Sequence, residues 1–154
     1  MPDLAGLNCK RGANMKIIDV KEYLREIKYK QQYLQRLRER RKALHLDVSF
    51  GGIDYSADRV QSTPKNKLEE AAVRLSDRME QLDEEIANVS IEIDNRISKI
   101  EVLSDEIYRN ILFKRYAEDK TFEQISVELG YAYNYTCNIH GDALKELSKV
   151  LNFS

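Results

Sequence analysis

Asn134 and Asn138 lie four residues apart in YAYNYTCNIH, a stretch of tyrosines, amides and small residues. On a recognition helix each amide could pair bidentately with adenine N6 and N7. Plain solvation of both is the competing reading. Tyr133 and Tyr135 flank Asn134, with Tyr131 just before; rings near a helix turn either pack or meet bases and sugar-phosphate. Cys137 reads as a small filler or an exposed thiol. From Tyr131 to Leu144 there is no lysine or arginine. Phosphate neutralisation, which supplies most duplex affinity, therefore falls to Lys114, Arg115, Lys120, Lys145 and Lys149 on either side. The candidate DNA-contact set is Tyr133, Asn134, Tyr135, Cys137 and Asn138, with Arg115, Lys120 and Lys145 as the best phosphate anchors.

Catalytic constellations are harder to find. His45 and His140 fall in different segments, without the spacing of a zinc protease or a Cys–His pair. Gly51-Gly52 lacks the Gly-Lys-Ser/Thr of a phosphate loop, and no G-x-S-x-G elbow occurs. Glu84-Glu85 reads as a solvated face. Cys9 and Cys137 cannot complete a four-ligand zinc site or staple a scaffold. The expectation is a protein that is not an enzyme and uses no cofactor and no metal.

The elements that must position these residues are helical. The 154 residues include only six Gly and two Pro, with 33% charged residues, which favours long helices over a sandwich or barrel. No run of apolar residues is long enough to span a membrane, and no apolar leader follows a basic start, so a cytoplasmic setting is expected. Residues 1–15 show no periodicity and read as a disordered tail or an expression remnant. From Asp19, a plausible N-cap, Val20, Tyr23, Leu24, Ile27, Leu34, Leu37 and Leu44 form one stripe of a helix ending near Leu46. Residues 47–63, with Gly51-Gly52, read as a mobile loop. Thr63-Pro64 then starts a second helix. Its apolar positions Leu68, Ala72, Leu75, Met79, Leu82, Ile86, Val89 and Ile93 alternate steps of four and three, the pattern of a coiled-coil seam. Arg96 interrupts it before Ile100 and Leu103 resume.

Such a seam needs a partner. Residues 16–46 carry ten Lys/Arg against four Asp/Glu, and residues 64–103 carry six against ten. The opposite charges favour an antiparallel hairpin over residues 16–103. A homodimer through the same helix of a second copy is the alternative, and a basic arm on nucleic acid is a third reading.

Residues 104–154 form the remaining expected domain. Ser104-Asp105 is a weak cap signal. Thr121 to Gln124 has capping-box spacing, Gly130 suits a left-handed C′ position, and a last helix runs to about Leu151. Its inward set is Thr136, Ile139, Ala143, Leu147 and Val150, facing Ile125 and Leu129. A short capped helix, a glycine turn and a longer helix make a helix-turn-helix. The fold class is therefore all-α: a long antiparallel helical hairpin followed by a C-terminal helix-turn-helix domain.

These residues carry a resemblance. Leu112, Arg115 and Tyr116, Thr121 through Ile125, Leu129-Gly130, and Ala143-Leu144 with Leu147 resemble region 4 of sigma-70 factors. The plan of residues 16–151, including Asp58-Arg59-Val60-Gln61-Ser62 in the loop, looks like the sigma-like ArpU- and RinA-type late-gene regulators of phages and prophages of Gram-positive bacteria. The resemblance implies a DNA-binding transcription regulator whose partners are double-stranded promoter DNA and RNA polymerase. The chain departs from the pattern in carrying Ala132 where a serine usually caps the recognition helix. It also has Asn134, Asn138 and Asp142 at positions where arginine is common. Those departures keep a second expectation in view, a coiled-coil adaptor whose helix-turn-helix no longer binds DNA.

Overall fold

The computed structural model describes residues 11–49 and 64–151, and among them every regular element is a helix. In chain order these are α1 (Arg11–Ser49), α2 (Pro64–Glu101), α3 (Glu106–Leu112), a π-helical turn (Phe113–Ala117), α4 (Phe122–Leu129) and α5 (Tyr133–Val150). The protein is all-α. No helix among the described residues is long and apolar enough to cross a membrane.

α1 begins earlier than its periodicity indicates. Asp19, the expected N-cap, lies inside the helix, and the assignment of the last residues of the 1–15 tail to no structure is corrected from Arg11 onward. Nothing from Arg11 to Ile18 stops a helix: there is no proline, and Gly12 alone is a weak former. Once nucleated, each further residue adds a hydrogen bond. Pro64 opens α2 as expected, whereas most of the loop, including Asp58 to Ser62, lies outside the described residues, as does Cys9.

The chain falls into two compact units, which cut across the division expected after residue 103. One is Gln32–Ile91. Within it, Leu34 and Leu37 of α1 are buried, as are Leu82 and Val89 of α2. Arg41 grips Asp83 with two bonds, Nε to Oδ1 at 2.9 Å and Nη2 to Oδ2 at 3.1 Å, and the Tyr33 hydroxyl donates to Glu85. Partner numbers fall on α2 as they rise on α1, so the two segments run antiparallel here. The start of the seam is different: Leu68 is 42% exposed and Ala72 is also exposed.

The other unit takes α1 up to Gln31 and the chain from Glu92. Val20, Leu24 and Ile27 are fully buried, and Ile93, Ile100 and Leu103 nearly so. Arg96, the break in the seam, is half-buried. Its Nη1 donates to the Tyr23 carbonyl at 2.9 Å, its Nη2 donates to Glu26, and its guanidinium lies 4.3 Å from the Tyr23 ring centroid. A charge inside an apolar stripe persists because each end of the fork has a partner. It ties α1 to α2 at one register.

α2 stops at Glu101, and Asp105 starts α3 by accepting the Ile107 amide at 2.8 Å. The π-helical turn, invisible in the sequence pattern, closes with the Glu118 amide on the Phe113 carbonyl at 3.1 Å. It leaves Asp119 at φ 54°, a conformation a short polar side chain tolerates. α1 anchors this bend: Gln31 donates to the Ala117 carbonyl at 3.1 Å, and Lys28 pairs with Asp119 at 2.8 Å.

Thr121 caps α4 as its sequence indicates, its Oγ1 accepting the Gln124 amide at 3.3 Å while Gln124 Oε1 accepts the Thr121 amide at 2.9 Å. Gly130 ends α4 at φ 69° and ψ 29°, and the Tyr131 amide reaches back to the Ser126 carbonyl at 2.9 Å. A Cβ at residue 130 would meet nothing within 4 Å, so replacement costs backbone strain alone. Gly130→Val should lower stability by about 1–2 kcal/mol, the penalty of a left-handed L-residue. A denaturant melt checks this, and an unchanged midpoint would show that the turn relaxes into another conformation.

Candidate nucleic-acid interface

α5 divides cleanly into an inner and an outer side. Thr136, Ile139, His140, Ala143, Leu144 and Leu147 are buried, which matches the expected inward set except that Val150 is only half-buried and that His140 and Leu144 join it. Ile139 packs in one cluster with Ile111 of α3 and Ile125 of α4, rimmed by Ile107, Tyr108, Phe122 and Leu129. Leu129, the last residue of α4, stays half-buried. α3 and α4 thus hold α5 by one face.

Tyr133, Asn134, Tyr135 and Asn138 are exposed, and Cys137 is a half-buried free thiol. The two asparagines follow each other by about one turn, as the spacing requires. Tyr135 makes an edge-on contact with Tyr131, ring centroids 5.3 Å apart, so one tyrosine steadies another at the start of the helix. The Cys137 thiol, hydrogen-bonded to Tyr133, holds that phenol above its usual range. Ala132 occupies the N-cap without a side-chain bond, and the Thr136 hydroxyl donates to its carbonyl at 3.2 Å. The opening amides of α5 are therefore left without a side-chain cap.

The cations are placed otherwise than a phosphate clamp would place them. Lys120 bridges Glu118 at 2.6 Å and Glu128 at 2.8 Å, and those hydrogen bonds raise its pKa. Lys114 also reaches Glu128, at 2.7 Å, and the two lysines hold the Glu128 carboxyl below its usual range. Lys145 pairs with Asp142 at 2.8 Å, and Lys149 with Glu146 at 2.6 Å. Arg115 donates to the Lys120 carbonyl at 2.7 Å and lies 5.0 Å from the Phe122 ring centroid. Of the three expected anchors, Lys120 and Lys145 are engaged by carboxylates, and Arg115 is turned to Phe122. The i,i+4 spacing of Lys114 and Glu118 was a readable signal for part of this network; the role of Glu128 depends on how α4 packs.

His140, which the sequence places in no catalytic spacing, is structural. Its Nε2 lies 3.1 Å from the Tyr116 hydroxyl, its ring stacks on Tyr116, and Phe122 meets it edge-on at 4.9 Å between centroids. Burial first, then Lys21 and Arg115, push its pKa down to about 4. A neutral imidazole results. No group of three or more His, Cys, Asp or Glu side chains that could hold a metal occurs among the described residues. No family model, curated protein or solved structure matches this chain.

Proposed function

We propose that residues 104–154 are a helix-turn-helix module that binds double-stranded promoter DNA, and that the protein is a non-enzymatic transcription regulator of the sigma region 4-like, phage or prophage type that its sequence resembles. The observation carrying this reading is the division of α5: an inner face fixed by Ile139, Ala143 and Leu147, and exposed Asn134, Tyr135 and Asn138 on the other side. A helix held by one face, with amides on the other, is suited to a major groove. RNA polymerase is the second partner in this reading, and its contact would supplement a recognition helix that lacks cations.

Specific features favour a protein partner instead. Lys120, Lys145 and Lys149 are each engaged by a carboxylate, and Val127 on α4 is 82% exposed, with Tyr133 and Tyr135 also open. In this second reading the module is an adaptor and the aromatic surface meets protein.

Asp142 separates the two. Asp142→Asn removes a charge that repels phosphate and releases Lys145, so under the regulator reading it should tighten DNA binding and steepen the salt dependence by about one unit. Asn138→Ala should relax preference at one base pair at a cost of about 1–3 kcal/mol. Gel-shift titrations at several salt concentrations measure both. An Asp142→Asn variant with unaltered affinity on every sequence would favour the adaptor.

A further inference from the structure

Lys21, Arg25 and Lys28 follow one another on α1 by four and three residues, and together they line a cleft of about 270 Å³ whose other wall carries Arg115. Asp119 is the one carboxylate in the lining, and Lys28 already holds it at 2.8 Å. Lys21 and Arg25 have no carboxylate partner among the described residues. Arg115 is fixed by its bond to the Lys120 carbonyl and by the Phe122 ring. Like charges gathered in a half-enclosed space repel one another, and an anion between them would offset that repulsion.

The remaining lining is aromatic: Tyr29 from α1, Phe122 from α4, and the Tyr116–His140 pair, whose imidazole is neutral. Cations beside ring faces match a ligand with a phosphate at one end and a planar ring at the other. The volume is near the lower end of small-ligand pockets, which run about 300–1,000 Å³. A DNA duplex fits the cleft poorly. His140 comes two residues after Asn138, about 200° around the helix, so the cleft touches the side of α5 opposite the exposed asparagines.

We propose that this cleft binds a small phosphorylated ligand bearing one planar ring, of the class of nucleoside mono- and diphosphates, with Lys21, Arg25 and Arg115 on the phosphate and Tyr29 and Phe122 beside the ring. The site is independent of whether α5 contacts DNA. A ligand there would touch α1, the π-helical turn, α4 and α5 at once, the elements that hold the module together.

The test uses the full chain with ADP, inorganic phosphate and adenosine as probes in calorimetric titrations at constant ionic strength, with His140 followed by NMR. ADP should bind saturably and more tightly than phosphate or adenosine. The double variant Lys21→Gln, Arg25→Gln should weaken ADP about tenfold or more, since it removes two charge-assisted contacts. Arg38→Gln, Lys42→Gln, which removes the same charge further along α1, should leave ADP binding unchanged. Bound ADP should also raise the His140 pKa, because its phosphates oppose Lys21 and Arg115 while Arg25, Lys28, Tyr29, Tyr116 and Asp119 stay in place. Absence of saturable ADP binding would overturn the proposal, as would equal losses in the two double variants. Phosphate binding as tightly as ADP would remove the ring subsite and overturn it too. Displacement of ADP by a short DNA duplex that itself needs Lys21 and Arg25 would reassign the cleft to a nucleic-acid backbone.

Discussion

Leu147→Ala is expected to destabilise the protein by about 2–5 kcal/mol, the range for deleting a buried leucine when the site cannot collapse. Leu147 is fully buried on the inner face of α5, as are Ala143 and Leu144 one turn or less before it. Native domains carry only about 5–15 kcal/mol in total, so this one side chain accounts for a substantial share of the stability. Lys149→Ala, two residues on and largely exposed, should change stability by less than about 0.5 kcal/mol. Urea melts of the two variants against the parent chain check the contrast. Equal midpoints for Leu147→Ala and the parent would mean that α5 is not docked, and the separation of an inner from an outer face would fail with it.

The second large effect is a loss of stability in acid. His140 is 8% exposed, and its pKa is held at about 4 against an ordinary 6.5, chiefly by burial and then by Lys21 and Arg115. The folded chain therefore binds the proton less readily than the unfolded chain. Stability from this group is complete above about pH 6.5, falls as the pH drops through the window from 6.5 to 4, and levels off below it. The difference corresponds to about 3 kcal/mol. His140→Gln keeps a hydrogen-bond partner for Tyr116 and does not titrate, so its stability should decline less than the parent's over the same window. Chemical denaturation at stepped pH gives the difference curve, in which the carboxylates common to both proteins cancel. Parallel pH profiles would show that the imidazole is solvated and free to charge.

Much of the fold was legible because it rests on local rules. The capping box at Thr121 and the left-handed glycine at residue 130 need only neighbouring residues, and both occur as the sequence indicates. The inward stripe of α5 follows from helical spacing. α1 starts earlier than its periodicity indicates because an apolar stripe reports burial, whereas a helix continues wherever nothing interrupts its hydrogen bonds. The seam from Leu68 is exposed at its start although its spacing is regular, since spacing shows that a helix has an apolar stripe and not what covers it.

The candidate interface was legible in one half and obscure in the other. The inward stripe of α5 leaves Asn134 and Asn138 on its exposed side. The state of the lysines depends on residues distant in sequence: Glu128 takes Lys114 from 14 residues away and Lys120 from eight. The cleft is harder still to anticipate. It brings α1 against a π-helical turn that leaves no mark in the hydrophobic pattern, and it joins Lys21 and Arg25 to Arg115 some 90 residues on.

Titration of the full-length protein on promoter fragments from its own genome, at several salt concentrations and with RNA polymerase present and absent, tests the regulator reading most directly. A complex specific for a subset of fragments is expected, with a shallow salt slope because α5 has no cation at its outer start, and tighter binding when polymerase is added. Failure to form any specific complex at low salt, with or without polymerase, would contradict it and leave the adaptor reading in its place.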